Sequence, residues 1–174
     1  MITLVVLLSQ CEFSSTEPPI VEGEELAWLN HNDTVEYLGI NTCKNCHAEI
    51  YNSFIQTGMG KSFGIANVQK SAMKGQSLHL IDSFSDFRYQ TSFEGESLFL
   101  EEFKVNGKDT LHQLQEQVDY IIGSGQHTNS HLISRNGYVH QMPFTYYTQR
   151  GLLDLPPGFE GGYNTRFDRL IGLE

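Results

Sequence analysis

The chain has 174 residues, 39% of them apolar and 18% charged, with a net charge of −10 at pH 7 and a pI of about 5.1. That length holds one domain with a core, or one domain and an arm, and the composition excludes a chain disordered throughout. With 11 Lys and Arg against 21 Asp and Glu there is no basic stripe to neutralise phosphates, which argues against a nucleic-acid partner.

Residues 1–10 form an apolar run ending at Cys11. Leu8-Ser9-Gln10-Cys11 reads as a relaxed lipobox, with 1–10 as part of a lipoprotein-type signal peptide and Cys11 as the lipidated residue. The segment lacks a basic n-region and has about half the usual signal length. Its eight or so apolar residues fall far below the roughly 20 needed to span a bilayer. Residues 11–33 are acidic, carry Pro18-Pro19 and read as a tether, with Leu26, Trp28 and Leu29 docking its second half on the body. The expected location is extracytoplasmic, on a membrane through the lipid, in a periplasm or at a cell surface.

The globular part is expected over 34–174. Its haem segment, 34–66, contains Cys43-Lys44-Asn45-Cys46-His47, the C-x-x-C-H spacing of covalent haem c attachment. Two thiols so placed can each add across a vinyl group, and the following imidazole can take the proximal iron position. Cys43 and Cys46 are then the anchors and His47 the iron ligand. The competing chemistries are a disulfide, a thioredoxin-like dithiol and half of a zinc site. Neither a βαβ context nor a second Cys or His pair at short spacing accompanies the motif. Beyond it, Ile50, Tyr51, Phe54 and Ile55 make an amphipathic helical stripe, which Gly58 and Gly60 terminate.

From Ser77 the period changes to two. Phe87, Tyr89, Thr91 and Phe93 alternate with polar residues, Leu98 and Leu100 resume the alternation, and Asn106-Gly107 and Asn136-Gly137 are hairpin signals. Residues 77–147 are expected to form one small antiparallel sheet of five or six strands. The tail, with Pro156-Pro157-Gly158, reads as loop, followed by a short helical piece at 166–170. The expected fold class is α+β: a haem-binding helix segment packed with a small antiparallel sheet, and a loop-rich C-terminal tail.

A low-spin haem needs a sixth ligand. Met59 sits between glycines that let the backbone approach the ring, but twelve residues of unbroken helix would carry it about 18 Å from His47. His127 and His131, four apart behind Gly123-Ser124-Gly125, are the rival candidates. His79, His112 and His140 fall on expected strands, where a lone histidine is usually a surface or hydrogen-bonded residue, and His31 lies in the arm. Lys44, Lys61, Arg150 and Arg166 are candidate partners for haem propionates. The carboxylates, Glu101-Glu102 included, call for nothing beyond solvation, and no catalytic triad is visible.

Tyr37-Leu38-Gly39, the C-x-x-C-H motif, Ile50-Tyr51, Phe54 and Thr57-Gly58-Met59-Gly60-Lys61-Ser62-Phe63 together resemble the first haem segment of bacterial multihaem c-type cytochromes, broadly those related to cytochrome c-554. The run Tyr120-Ile121-Ile122-Gly123-Ser124-Gly125-Gln126-His127-Thr128-Asn129-Ser130-His131 matches as well, as do Asn136-Gly137 and Leu155-Pro156-Pro157-Gly158-Phe159. The resemblance implies that Arg169–Glu174 leads into a second attachment motif, so that the chain is the N-terminal portion of a longer multihaem protein. It implies one-electron transfer through haem c, with redox proteins or other haem domains as partners. The alternatives are part of a multihaem oxidoreductase acting on a small nitrogen compound, and a lipoprotein binding module stabilised by haem.

Overall fold

The computed structural model describes residues 34–36 and 38–171. The signal segment, Cys11, the tether and His31 lie outside the described residues. The chain divides into two units between Ile40 and Asn41, and the second carries both sheets.

Among the described residues two short helices come first, α1 (Ile40–Lys44) and α2 (Ala48–Phe54). Ten strands follow: β1 (Phe63–Ile65), β2 (His79–Ile81), β3 (Arg88–Glu94), β4 (Ser97–Asn106), β5 (Asp109–Gln117), β6 (Tyr120–Ile122), β7 (Thr128–Arg135), β8 (Tyr138–Tyr147), β9 (Leu152–Asp154) and β10 (Leu170–Ile171). Strands β2-β3-β4-β5 make a four-stranded sheet in chain order; the other six form a second, ordered β1-β6-β7-β8-β10 with β9 also on β8. Every pairing is antiparallel.

Both hairpin signals fall at turns. Asn106 pairs with Asp109 across the β4–β5 turn, and Arg135 with Tyr138 across the β7–β8 turn. Asn136 and Gly137 both adopt positive φ, 53° and 83°, as a two-residue turn matching strand twist requires.

The two sheets share one core. Tyr89, Leu98 and Leu100 from the first meet Ile121, Ile133, Met142, Phe144, Tyr146 and Leu153 from the second. Alternation along β4 turns Leu98, Leu100 and Glu102 inward, because successive side chains on a strand point to opposite faces. Pro143 sits within β8, and the β7–β8 register shifts there, between Ser130 and Leu132. A residue without an N–H cannot continue the ladder, so the irregularity falls opposite His131.

The expected α+β class does not hold. The fold is a two-sheet β structure, and neither helix contributes a buried residue. At 5 and 7 residues the helices are too short to be stable without packing, and their apolar stripe does not enter the core. Ile50 stays 67% exposed, while Tyr51, Phe54 and Ile55 are half-buried. The single sheet expected over 77–147 is two sheets reaching from Phe63 to Ile171, and the helical piece expected at 166–170 is a loop entering β10. Among the described residues no helix is long and apolar enough to cross a membrane.

Candidate cofactor-attachment site

Cys43 lies in the last turn of α1, Cys46 in the turn behind it, and His47 is the N-cap of α2. The backbone carries a helical pattern through the motif: His47 N donates to Cys43 O at 2.9 Å, and Tyr51 N to His47 O at 2.9 Å. Both thiols are free and exposed, and the imidazole is exposed as well. Tyr51 braces the pair of helices, its hydroxyl donating to Asn41 Oδ1 at 3.2 Å while the Lys44 ammonium lies 5.0 Å from its ring centre. Among the described residues no three His, Cys, Asp or Glu side chains gather in a metal-ligating group, so the two thiols and the imidazole do not converge on a common point. Two thiols presented separately, followed by a free imidazole, fit the demand of haem c for two anchors and one axial ligand.

The segment after α2 folds back on it. Thr57 Oγ1 donates to Phe54 O and accepts from Gly60 N, and Lys61 N donates to Thr57 O. A Cβ on Gly60 would lie 2.1 Å from Phe54 O, so only glycine allows this return. Gly58 lies against Ser124 and Gln126. Gly123 N donates to Ser62 O at 2.6 Å, and Phe63 pairs with Ile122 where β1 joins β6. Thus residues 58–63, from the segment expected to carry haem, and the Tyr120–His131 run, far apart in sequence, meet at one end of the six-stranded sheet. Asn129 braces the junction: Oδ1 accepts from Ala72 N, and Nδ2 donates to Gly123 O.

The three candidates for the sixth ligand are placed differently. Met59 is 76% exposed on the returning turn. His127, also exposed, leaves the Gly123–Gln126 loop, with Nδ1 3.2 Å from Gln149 Nε2. His131 lies wholly inside, its ring stacked on Phe144 at 4.0 Å, Nδ1 3.4 Å from Phe144 O and Nε2 without a partner among the described residues. Burial pushes its pKa down to about 3, against the opposing effect of the Phe144 carbonyl. His79 is exposed on β2, His112 contacts Glu102, and His140 Nδ1 lies 3.0 Å from Phe167 O.

Of the candidate propionate partners, Arg150 is paired with Asp154 and Arg166 with Glu102; Lys44 and Lys61 both lie within the 34–66 segment. The sequence by itself calls for no more than solvation at Glu102. It is fully buried and holds both Arg166 and His112. The signal was present, since Glu102 continues the inward series Leu98, Leu100. Lys70, which lies under β1 beside the same junction, was missed altogether; nothing in its local sequence marks it. No protein-family model, curated protein or solved structure matches the chain.

Proposed function

We propose that the chain is an extracytoplasmic c-type cytochrome domain, holding haem covalently through Cys43 and Cys46 with His47 as proximal ligand, and that it serves one-electron transfer. The observation that supports this most directly is the pair of free, exposed thiols on a helical segment that gives nothing to the core. Each S–H can add across a vinyl C=C, forming one S–C and one C–H bond with nothing lost. Ile50 presents an apolar side chain on the same segment, suited to the face of a macrocycle. Bound there, haem c supplies a ferric–ferrous couple whose potential depends on axial ligation, burial and nearby charge.

The sixth ligand is drawn from Met59 or His127, both of which lie on the loops that meet at the sheet end. His131 would have to leave a core position. Lipid anchoring at Cys11, supported by the Leu8–Cys11 lipobox, and further haem domains as partners, supported by the resemblance of the two runs that the fold brings together, belong to the same reading. The test is maturation in a periplasm that attaches haem c, followed by a pyridine haemochrome assay and a haem stain on a denaturing gel. Covalent haem with a low-spin spectrum is expected. Absence of covalent haem after competent maturation overturns the assignment, and a high-spin spectrum that shifts with carbon monoxide replaces electron transfer by catalysis at an open iron.

A further inference from the structure

Beside the junction of β1 with the Gly123–Gly125 loop lies an open cavity of about 500 Å³, lined by Lys61, Gly64, Ile65, Gln69, Lys70 and Ser124 among others. We propose that it is a carboxylate-binding site, with Lys70 as its fixed cation and Lys61 as a second cation at the rim.

Lys70 is held in place. Its ammonium donates to Lys61 O at 2.7 Å and to Gly123 O at 2.6 Å, which leaves one of its three N–H groups for a ligand. Its stem runs beneath Gly64, where an added Cβ would lie 3.3 Å from Cε and 3.4 Å from Cδ. Glycine at that place in β1 lets the chain lie flat against the strand. Neither Lys61 nor Lys70 belongs to an ion pair among the described residues, in a chain that carries 21 acidic residues. Glu96, the carboxylate tied to the lining, is held by Gln69 Nε2 at 2.8 Å. A partly buried ammonium that lacks a counter-charge is costly, and burial lowers the Lys70 pKa accordingly. An anion restores the balance. Ser124 Oγ accepts from Gln126 N at 3.5 Å, so its hydrogen remains free to donate. Ile65 and the Lys70 stem add an apolar wall, which suits a carboxylate on a short alkyl arm better than a bare inorganic anion.

Such a carboxylate has two sources: a propionate arm of haem held at Cys43 and Cys46, or a free short-chain acid. The first source rests on the proposed haem attachment; the cavity itself does not. Lys61 sits on the turn that closes against α2, next to the attachment segment.

The test begins with the full chain carrying Cys43→Ala and Cys46→Ala, which cannot attach haem, and follows its backbone amide resonances while sodium propionate is added. Saturable shifts at Gly64, Ser124 and Gly125 are expected. Lys70→Met should weaken binding at least tenfold. Lys61→Met, at an exposed site with no part in the core, should weaken it several-fold and decides the matter if the Lys70 variant does not fold. No saturable shift, or shifts unchanged by the lysine substitutions, overturns the proposal. In the haem-loaded chain, loss of the propionate response assigns the site to the haem's own arm, and a retained response assigns it to a free acid. A chain that takes up no haem but still binds propionate overturns the cytochrome reading alone.

Discussion

Arg166 and Glu102 lie 64 positions apart in sequence, yet Arg166 Nε donates to both carboxylate oxygens at 3.0 and 3.1 Å and its Nη2 to Oε1 at 2.7 Å. His112 Nε2 lies 2.9 Å from the same Oε1. The pair fastens the C-terminal segment to the four-stranded sheet. Removing one partner of a buried pair leaves an uncompensated charge. Arg166→Leu should therefore cost about 3 kcal/mol, the low end for such pairs because the arginine is partly exposed. The combined Arg166→Leu, Glu102→Leu chain should recover most of it. Urea unfolding of haem-free protein at neutral pH measures both, and a single-variant loss below about 1 kcal/mol would place the pair among weak surface bridges.

Tyr89 is fully buried, and its hydroxyl makes no hydrogen bond of normal geometry among the described residues. Burial, and after it the nearby Glu102 charge, pushes its ionisation far above the usual phenol range. An unsatisfied buried hydroxyl opposes folding. Tyr89→Phe should thus be neutral or stabilising by up to about 1 kcal/mol; a loss of stability in the same unfolding assay would mean that the hydroxyl has a partner, Glu102 first among them.

His131 gives a pH dependence of definite sign. Unfolded, a histidine takes up its proton near pH 6.5, roughly; folded, His131 stays neutral down to about pH 3. Between those values the unfolded chain binds more protons, so stability falls as pH falls, by up to about 1.4 kcal/mol per pH unit. His131→Phe should lose less stability than the parent between about pH 6 and about pH 4. Parallel slopes for the two chains would show that His131 takes up its proton in the folded state.

For the attachment site, Cys43→Ala and Cys46→Ala should each leave haem held by one thioether, and the double variant none on a denaturing gel. One of Met59→Ala and His127→Ala should convert the low-spin spectrum to high-spin, while His131→Phe leaves it unchanged. A far-red sulfur-to-iron band that vanishes in the Met59 variant identifies methionine; a conversion caused by His131→Phe would bring the core histidine to the iron.

Gly60→Ala places a Cβ on the Phe54 carbonyl and should open the turn behind α2. Because that turn lies outside the core, global stability should fall by no more than about 1–2 kcal/mol. Amide exchange at Gly60 and Lys61 should accelerate far more than in β7 or β8, and uniform acceleration across the sheets would contradict this separation.

The strands and their turns were legible because they rest on local rules: a period of two, and Asn-Gly at two-residue turns. The C-x-x-C-H spacing is likewise local, five consecutive residues, and the haem attachment read from it is the proposal made above. Division into two sheets was not, because nothing in Tyr89 or Ile121 says which neighbour its strand will take. The apolar stripe at Ile50 misled for a physical reason: helical spacing shows that one face is apolar, not that protein covers it. Glu102 was overlooked because its partner Arg166 comes from a distant segment, although the alternation from Leu98 already turned it inward.

Because α1 and α2 give no side chain to the core, the sheets can close before any cofactor is attached. The thiols then stay within reach of solvent on the finished fold, and under the proposed function the order of folding and maturation is free. The two-sheet body would accumulate folded and protease-resistant with a reactive handle, rather than as an open polypeptide awaiting its prosthetic group.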